Sequence, residues 1–304
     1  MNSQTIFFWF EHYIGEIAAL SAALLWAISS VVYTGLGLRI SPLKLNFYKG
    51  IIAIAFIGIT LAIQGTALLG ISQSTIALLS LSGVIGIGLG DTAYFSALNS
   101  LGARRTLLLE TASPPIGALL ALIFIGERLN SLSWCGILLT ITGIAWVISE
   151  RNLANNMSVS RQGVGWGLLA ALAQAVGSVI SRFALVRSNI SPLESTLIRL
   201  LGGTVVVVGL LFLSAIKNKT EAKIALSIRS LGIITVVALA STYFGIWLQQ
   251  TSLKFAPTGI AQTFLATSPL FVLPIVAIQK EKITRRAIFG VAISLAGIAL
   301  MFNR

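Results

Sequence analysis

The sequence has 304 residues, of which 56% are hydrophobic and only 10% are charged. Because a soluble globular domain carries about 25% charged residues, this composition excludes an ordinary water-soluble protein and predicts one that resides in a bilayer. The net charge of +12 does not indicate a nucleic-acid partner, since the Lys and Arg residues are spread over many links instead of forming one basic face.

Ten apolar stretches follow one another along the chain, bounded by charged or turn-forming residues. A helix needs about 20 apolar residues to cross a bilayer, and the strict alternation of a membrane β-strand is missing. We therefore predict an all-α integral membrane protein with ten transmembrane helices. The predicted helices cover residues 16–36, 44–63, 75–98, 105–125, 133–149, 164–187, 193–214, 230–252, 258–279 and 286–302.

Lys and Arg residues are distributed unevenly between the two sides of this predicted bundle. The links after the odd-numbered helices hold 14 of them, whereas the remaining links and the termini hold only 4. Positively charged loops remain in the cytoplasm. We therefore expect both termini to lie outside, in a multi-pass protein of the cell (inner or plasma) membrane.

Parts of the sequence occur twice, about half a chain apart. Ile-Ser-Pro-Leu lies at residues 40–43 and again at residues 190–193, a separation of 150 residues. A separation of 154 relates three pairs near the end of each half: Glu127 with Glu281, Gly136 with Gly290, and Gly143 with Gly297. We interpret these matches as an internal duplication.

The duplication divides the chain into a five-helix half at 1–149, a polar linker at 150–163 and a second five-helix half at 164–304. Since five is an odd number, the second half enters the membrane from the opposite side, and the two repeats are inverted. Inverted repeats place similar walls on both sides of a midplane site, which permits alternating access. Duplication retained for stability alone is the alternative.

Each predicted half carries the same features in the same order. A basic residue lies early in the second helix, Lys49 or Arg199. A proline-bearing fourth helix follows, "ETASPPIGALLALIFIGERL" or "FLATSPLFVLPIVAIQKEKI", and then a glycine-containing fifth helix, "WCGILLTITGIAWVI" or "IFGVAISLAGIALMF". This order resembles the EamA family of the drug/metabolite transporter superfamily. The resemblance implies a ten-helix exporter or exchanger of a small metabolite, with a central cavity.

Three charged residues within the first predicted half are candidates for coupling. Asp91 and Glu110 lie at similar depth on the cytoplasmic side of antiparallel helices, and Lys49 lies at a comparable depth. A charge inside a membrane helix is costly and therefore indicates function. The two carboxylates could share a proton that drives transport, or one of them could simply neutralise Lys49.

A polar stripe on the sixth predicted helix is the main candidate for solute binding. Gln174, Ser178 and Arg182 recur every four residues and therefore share one helical face. Together with Arg199, Arg182 would give the cavity a positive lobe suited to a carboxylate or phosphate. The alternative is that Arg182 extends to the interface or pairs with Glu194.

Aromatic residues complete the predicted substrate-binding set. Tyr243, Trp247 and Gln250 share one face of the eighth predicted helix, and Trp26 and Tyr94 are assigned to the same cavity. Aromatic walls with a few amides suit an amphipathic solute. Packing between helices is the alternative role for such residues.

The sequence lacks the motifs of the common hydrolytic and metal-dependent enzymes. It contains no His-Glu-x-x-His, no Gly-x-Ser-x-Gly and no cysteine pair, so we expect neither an enzyme nor a cofactor or metal site. The alternative function is a flippase for a phosphate-bearing lipid carrier. The expected partners are a small-molecule substrate, membrane lipid and, for coupled transport, protons; the protein would be a monomer or a homodimer.

Overall fold

The computed structural model describes residues 13–65, 70–148, 160–217, 227–272 and 285–302. The regular secondary structure of these residues is entirely helical. We number the helices α1 to α10 in chain order: Ile14–Gly37, Pro42–Ile63, Gln73–Ala103, Arg105–Phe124, Ser131–Ile148, Arg161–Val186, Pro192–Lys217, Ile228–Phe255, Thr258–Leu265 and Arg285–Phe302. Each begins within three residues of a predicted start.

Seven of these helices are long and apolar enough to cross a membrane: α1, α2, α3, α4, α6, α7 and α8. Shorter apolar helices lie at Ser131–Trp146 and Ile288–Met301. The ninth predicted helix extends beyond residue 272, outside the described residues. Large apolar side chains such as Phe124 and Val205 are at least 70% exposed, a surface that lipid accommodates and water does not.

The repeated Ser-Pro-Leu sequence begins two equivalent helices. Ser41 is the N-cap of α2, and Pro42 occupies its first turn, where a missing backbone N–H costs nothing. In the second copy, the Ser191 Oγ accepts from the Glu194 backbone N–H at 3.2 Å, while a Glu194 carboxylate oxygen accepts from the Ser191 N–H at 2.8 Å. This reciprocal capping box occurs only in the second copy, since Lys44 stands in the place of Glu194 and Ser41 makes no side-chain cap bond. The two copies share the N-cap serine and the first-turn proline.

Several long helices are interrupted near their centres, although the sequence predicted continuous helices. Wider π-helical turns occupy Val84–Asp91 in α3 and Leu239–Phe244 in α8. In α4, a turn at residues 111–112 precedes Pro114 and Pro115, which lack the backbone N–H that a continuous helix requires. A similar turn at residues 266–267 follows α9.

A close helix–helix contact joins α5 and α10, which run antiparallel. A Cβ atom at Gly143 would lie 2.7 Å from the Gly290 carbonyl oxygen, and one at Gly297 would lie 2.7 Å from that of Gly136. Between these glycines, Thr140 Oγ1 donates to the Ser294 carbonyl at 3.4 Å and Ser294 Oγ donates to the Thr140 carbonyl at 3.3 Å. Each glycine therefore meets the sequence counterpart of the other: Gly143 contacts Gly290 and Gly136 contacts Gly297, as expected for two similar helices packed antiparallel.

We expect Gly143→Val to destabilise the protein by about 1–3 kcal/mol, because a side chain there collides with backbone that cannot move aside. Thermal unfolding of the detergent-solubilised protein measures this loss. Gly209→Val is the matched control, since nothing lies within 4 Å of a Cβ at that helical glycine. Equal melting temperatures for the two variants would contradict the close α5–α10 contact.

Candidate functional site

A cavity of about 130 Å³ lies at the centre of the helices, lined by residues of α1 to α4 and α6 to α9 and of the turn after α9. Both π-helical turns contribute to its wall: Gly86, Gly90 and Asp91 come from the first, and Ser241 and Thr242 from the second. π-Turns are frequently found at functional sites. This cavity is the candidate solute site.

Seven of the twelve predicted site residues line the cavity: Trp26, Lys49, Asp91, Tyr94, Glu110, Gln174 and Arg199. The other five lie outside its lining: Ser178, Arg182, Tyr243, Trp247 and Gln250. The structure thus brings together the predicted coupling residues with one of the two arginines.

Lys49 and Asp91 form an ion pair across α2 and α3, with 7% and 27% of their side chains exposed. The Lys49 ammonium also lies 5.3 Å from the centre of the Phe95 ring, within the range of a cation–π contact. Asp91 is therefore the partner that a buried lysine requires.

Glu110 occupies a different environment at the end of the first segment of α4. It lines the same cavity, but its Oε1 atom is buried and has no hydrogen-bond partner among the described residues. A carboxylate left in this condition is destabilising unless a ligand, a proton or water satisfies it. Glu110 is thus the carboxylate of the cavity that remains open to a cationic partner.

Arg199 lies on the opposite half of the bundle, on α7, and only 1% of its surface is exposed. Its Nη1 donates to Gln249 Oε1 at 3.2 Å, while its Nε has no partner among the described residues. A Cβ atom at Gly86 would lie 3.1 Å from the guanidinium, so a glycine leaves room for this side chain. Within the described residues, Arg199 forms no ion pair with a carboxylate.

Arg182 does not supply the positive lobe that the sequence predicted. Its Nε donates to Glu127 Oε1 at 2.6 Å, and its Nη1 donates to the carbonyls of Leu253 and Lys254, each at 2.8 Å. The same Glu127 accepts from the Thr258 backbone N–H at 2.8 Å. Arg182, on α6, therefore joins Glu127 to the end of α8, and Glu127 in turn bonds to the start of α9. The ion-pair partner of Arg182 is Glu127. Glu194, the alternative partner, instead caps α7.

The polar face of α8 differs from the predicted one by a single position. Thr242, Ile246 and Gln249 line the cavity, where Tyr243, Trp247 and Gln250 were expected. The observed and predicted sets have the same spacing of four and then three residues, so the cavity-facing side of α8 is about 100° away from the predicted one. The polar and aromatic residues of this segment lie on both sides, and the neighbouring helices determine which side faces the cavity.

The displaced residues have packing roles. The Tyr243 hydroxyl lies 3.0 Å from Thr60 Oγ1, and its ring packs edge-on against Trp247 at 6.3 Å. The Oε1 of Gln250 accepts from Ser181 Oγ at 2.6 Å and from Ser195 Oγ at 2.9 Å. These side chains join α8 to α2, α6 and α7.

Several polar cavity residues were not predicted from the sequence, among them Ser113, Ser241, Gln249 and Gln262. Gln249 stands beside Gln250 in the sequence, and only the packing of α8 determines which of the two faces the cavity. Gln262 lies in a helix interrupted three residues later. Each of them is a polar residue within an apolar stretch of the sequence, and this is the feature by which they could have been predicted.

Arg182→Ala is expected to lower stability by about 3 kcal/mol, because it removes the counter-charge of Glu127 and leaves Glu127 Oε1 and two carbonyl groups without their donor. Thermal unfolding measures this loss, and solute binding by the folded fraction should be unchanged. Weakened binding at unaltered stability would instead return Arg182 to the solute site.

Comparisons with known proteins identify a family over nearly the whole chain. The sequence model of the EamA-like transporter family matches residues 13–149 and 161–303. An uncharacterized transporter of Archaeoglobus fulgidus is 24% identical over 287 residues, covering 94% of this chain and 96% of that protein. A solved crystal structure shares the fold, with a TM-score of 0.72 over 94% of this chain and 95% of that one, at 17% identity. The chain belongs to the EamA-like transporter family of the drug/metabolite transporter superfamily, and it is a multi-pass integral membrane protein.

Proposed function

We propose that the protein is a secondary transporter that moves a small zwitterionic or anionic metabolite, an amino acid or a related solute, by alternating access. It would act as an exporter or an exchanger in the cell membrane. One observation carries the proposal: Arg199 and Glu110, of opposite charge, line one cavity, and each has a buried polar atom without a partner in the described part of the chain.

The cost of these charges supports a binding role. An ionised side chain at the centre of a membrane helix costs about 2.5–3.5 kcal/mol on insertion scales. Lys49 and Asp91 offset this cost by pairing with each other, whereas Arg199 and Glu110 have no such partner among the described residues. A solute with a carboxylate and an ammonium group would supply both partners.

Inverted repeats are a common scaffold for alternating access, and we propose ten transmembrane helices arranged as inverted five-helix repeats, 1–149 and 164–304, around the linker 150–163. Three observations support this arrangement. The family model matches each half separately. Thr140 and Ser294, 154 residues apart, bond reciprocally across antiparallel α5 and α10. The two π-turns begin 155 residues apart, at Val84 and Leu239.

The proposed coupling also divides the roles of the two carboxylates. Asp91 balances the charge of Lys49, and Glu110 binds the cationic group of the solute or, in its absence, a proton. The positions of Trp26, Tyr94 and Gln174 on the cavity wall support a role in enclosing the solute between these charged groups.

Counterflow in proteoliposomes tests the proposal. Vesicles loaded with an unlabelled solute should transiently accumulate the same labelled solute from a panel of amino acids and small carboxylic acids. No accumulation of any zwitterion or anion would contradict the proposed function. Transfer of a labelled phosphate-bearing lipid between leaflets, without counterflow, would identify the protein as a flippase instead.

A further inference from the structure

Gln262 has the features of a ligand-binding residue, although nothing in the sequence assigned it to the site. It lies in α9, lines the cavity and is only 2% exposed. Its Oε1 accepts a hydrogen bond from the Ser113 hydroxyl on α4. Its Nε2 is buried and has no partner among the described residues. One end of the amide is therefore fixed, and the other end presents unpaired donors.

The surrounding backbone leaves space for this amide. A Cβ atom at Gly117 would lie 2.5 Å from Gln262 Nε2 and 2.8 Å from its Cδ. Any larger residue at position 117 would push the side chain out of its place between α4 and α9. The position of Gln262 therefore depends on both Ser113 and Gly117, one turn apart on α4.

Burial of an unpaired amide N–H is unfavourable, and most buried polar groups in proteins have a partner. The amides of Gln249 and Gln250 have the same arrangement, since each Oε1 accepts a hydrogen bond and each Nε2 is unpaired among the described residues. Of these two, Gln249 lines the cavity and Gln250 does not. Gln249 adjoins a cation and therefore belongs with the site for an anionic group. The hydrogen-bond partner of Gln262 is a neutral serine, not a cation. A buried amide N–H without a cation beside it is better suited to a neutral acceptor oxygen, because burying an anion there would cost more.

We propose that Gln262 is a specificity-determining residue that selects solutes carrying a neutral acceptor oxygen, a hydroxyl or a carboxamide carbonyl, in addition to their charged groups. This inference rests on the proposed function and defines its substrate class more closely. Ser113, which holds Gln262, and Glu110 line the same cavity as Gln262. A cavity of about 130 Å³ suits a solute that carries its acceptor oxygen near its ammonium group, as in a small hydroxylated amino acid.

Counterflow with two nearly isosteric solutes provides the test. L-Threonine and L-valine have the same shape and differ by a hydroxyl in place of a methyl group. The native protein should prefer threonine by about tenfold, the equivalent of one hydrogen bond to a buried donor. In Gln262→Leu the threonine-to-valine ratio should fall to about one, because the donor is gone.

Two further variants separate recognition from folding. Gly117→Ala retains the amide but displaces it, so its ratio should lie between those of the native protein and Gln262→Leu. Gln64→Leu removes an exposed amide at the end of α2 and should keep the native ratio. Because each ratio is measured within one preparation, partial loss of folded protein lowers both rates and leaves the ratio unchanged.

The outcomes distinguish this inference from the proposed function. If the native protein transports both amino acids equally, or if Gln262→Leu keeps the native preference, Gln262 is not a specificity determinant and the proposed function is unaffected. If neither these two amino acids nor any other zwitterion or anion shows counterflow with the native protein, both proposals are overturned together.

Discussion

Arg199→Ala is expected to reduce counterflow of zwitterionic and anionic solutes by about 100-fold, because the solute's negative group then enters the cavity without a buried cation to receive it. Arg199→Lys should restore only part of the activity. A lysine supplies the charge, but it cannot present a planar fork to the solute while donating to Gln249. The loss is measured as the rate of counterflow at a series of solute concentrations, with the same amount of protein in each vesicle preparation.

Stability distinguishes this binding role from a structural one. Arg199 is buried without an ion-pair partner in the described residues, so its removal should leave the melting temperature unchanged or raise it. Arg182→Ala is the matched control, since Arg182 is paired with Glu127 and its loss should lower the melting temperature while binding persists. If Arg199→Ala unfolds the protein and Arg182→Ala does not, the roles assigned to the two arginines are reversed.

The contrast between these arginines illustrates how far sequence alone defines the site. Both are basic residues within apolar helices, and the sequence assigned both to one positive lobe. Their roles depend on tertiary contacts: Arg182 contacts Glu127, which is 55 residues earlier in the chain, and no local pattern specifies that contact. The resemblance to a family indicated Arg199, because Lys49 occupies the corresponding position in the first half.

The locations of the helices were predictable because their starts depend on local chemistry. Ser-Pro at residues 41–42 and 191–192 supplies a cap and a first-turn proline, and such signals act within a few residues. The irregularities within helices were not predictable in this way. Val84–Asp91 contains three glycines, Gly86, Gly88 and Gly90, whereas Leu239–Phe244 contains none. Glycine content therefore does not distinguish a π-turn from a regular helix in this chain.

The cavity-facing side of α8 was equally beyond the sequence. Gln249 and Gln250 are adjacent polar residues whose positions differ by about 100° around the helix. The first lines the cavity, and the second is fully buried among Ser181 and Ser195. No local signal separates the two, because contacts with other helices determine which of them faces the cavity.

Glu110→Gln is expected to abolish accumulation of solute driven by a pH gradient while solute exchange remains measurable. A glutamine has nearly the shape of glutamate but cannot release and regain a proton. If Glu110 binds a proton on one side of the membrane and the solute's ammonium on the other, the variant retains the cavity and loses the coupling. Uphill uptake with a pH gradient as the only driving force measures this loss, and counterflow in the same vesicles provides the internal control.

Asp91→Asn should behave differently, because Asp91 is the ion-pair partner of Lys49. Its neutralisation leaves a lysine that is only 5% exposed without a counter-charge, so the expected result is a loss of stability of about 3 kcal/mol. The double variant Lys49→Met/Asp91→Asn should recover most of that loss. The outcome that would contradict proton coupling concerns Glu110→Gln. If this variant still concentrates solute with a pH gradient as the only driving force, the proton does not pass through Glu110. Glu110 would then bind the solute alone.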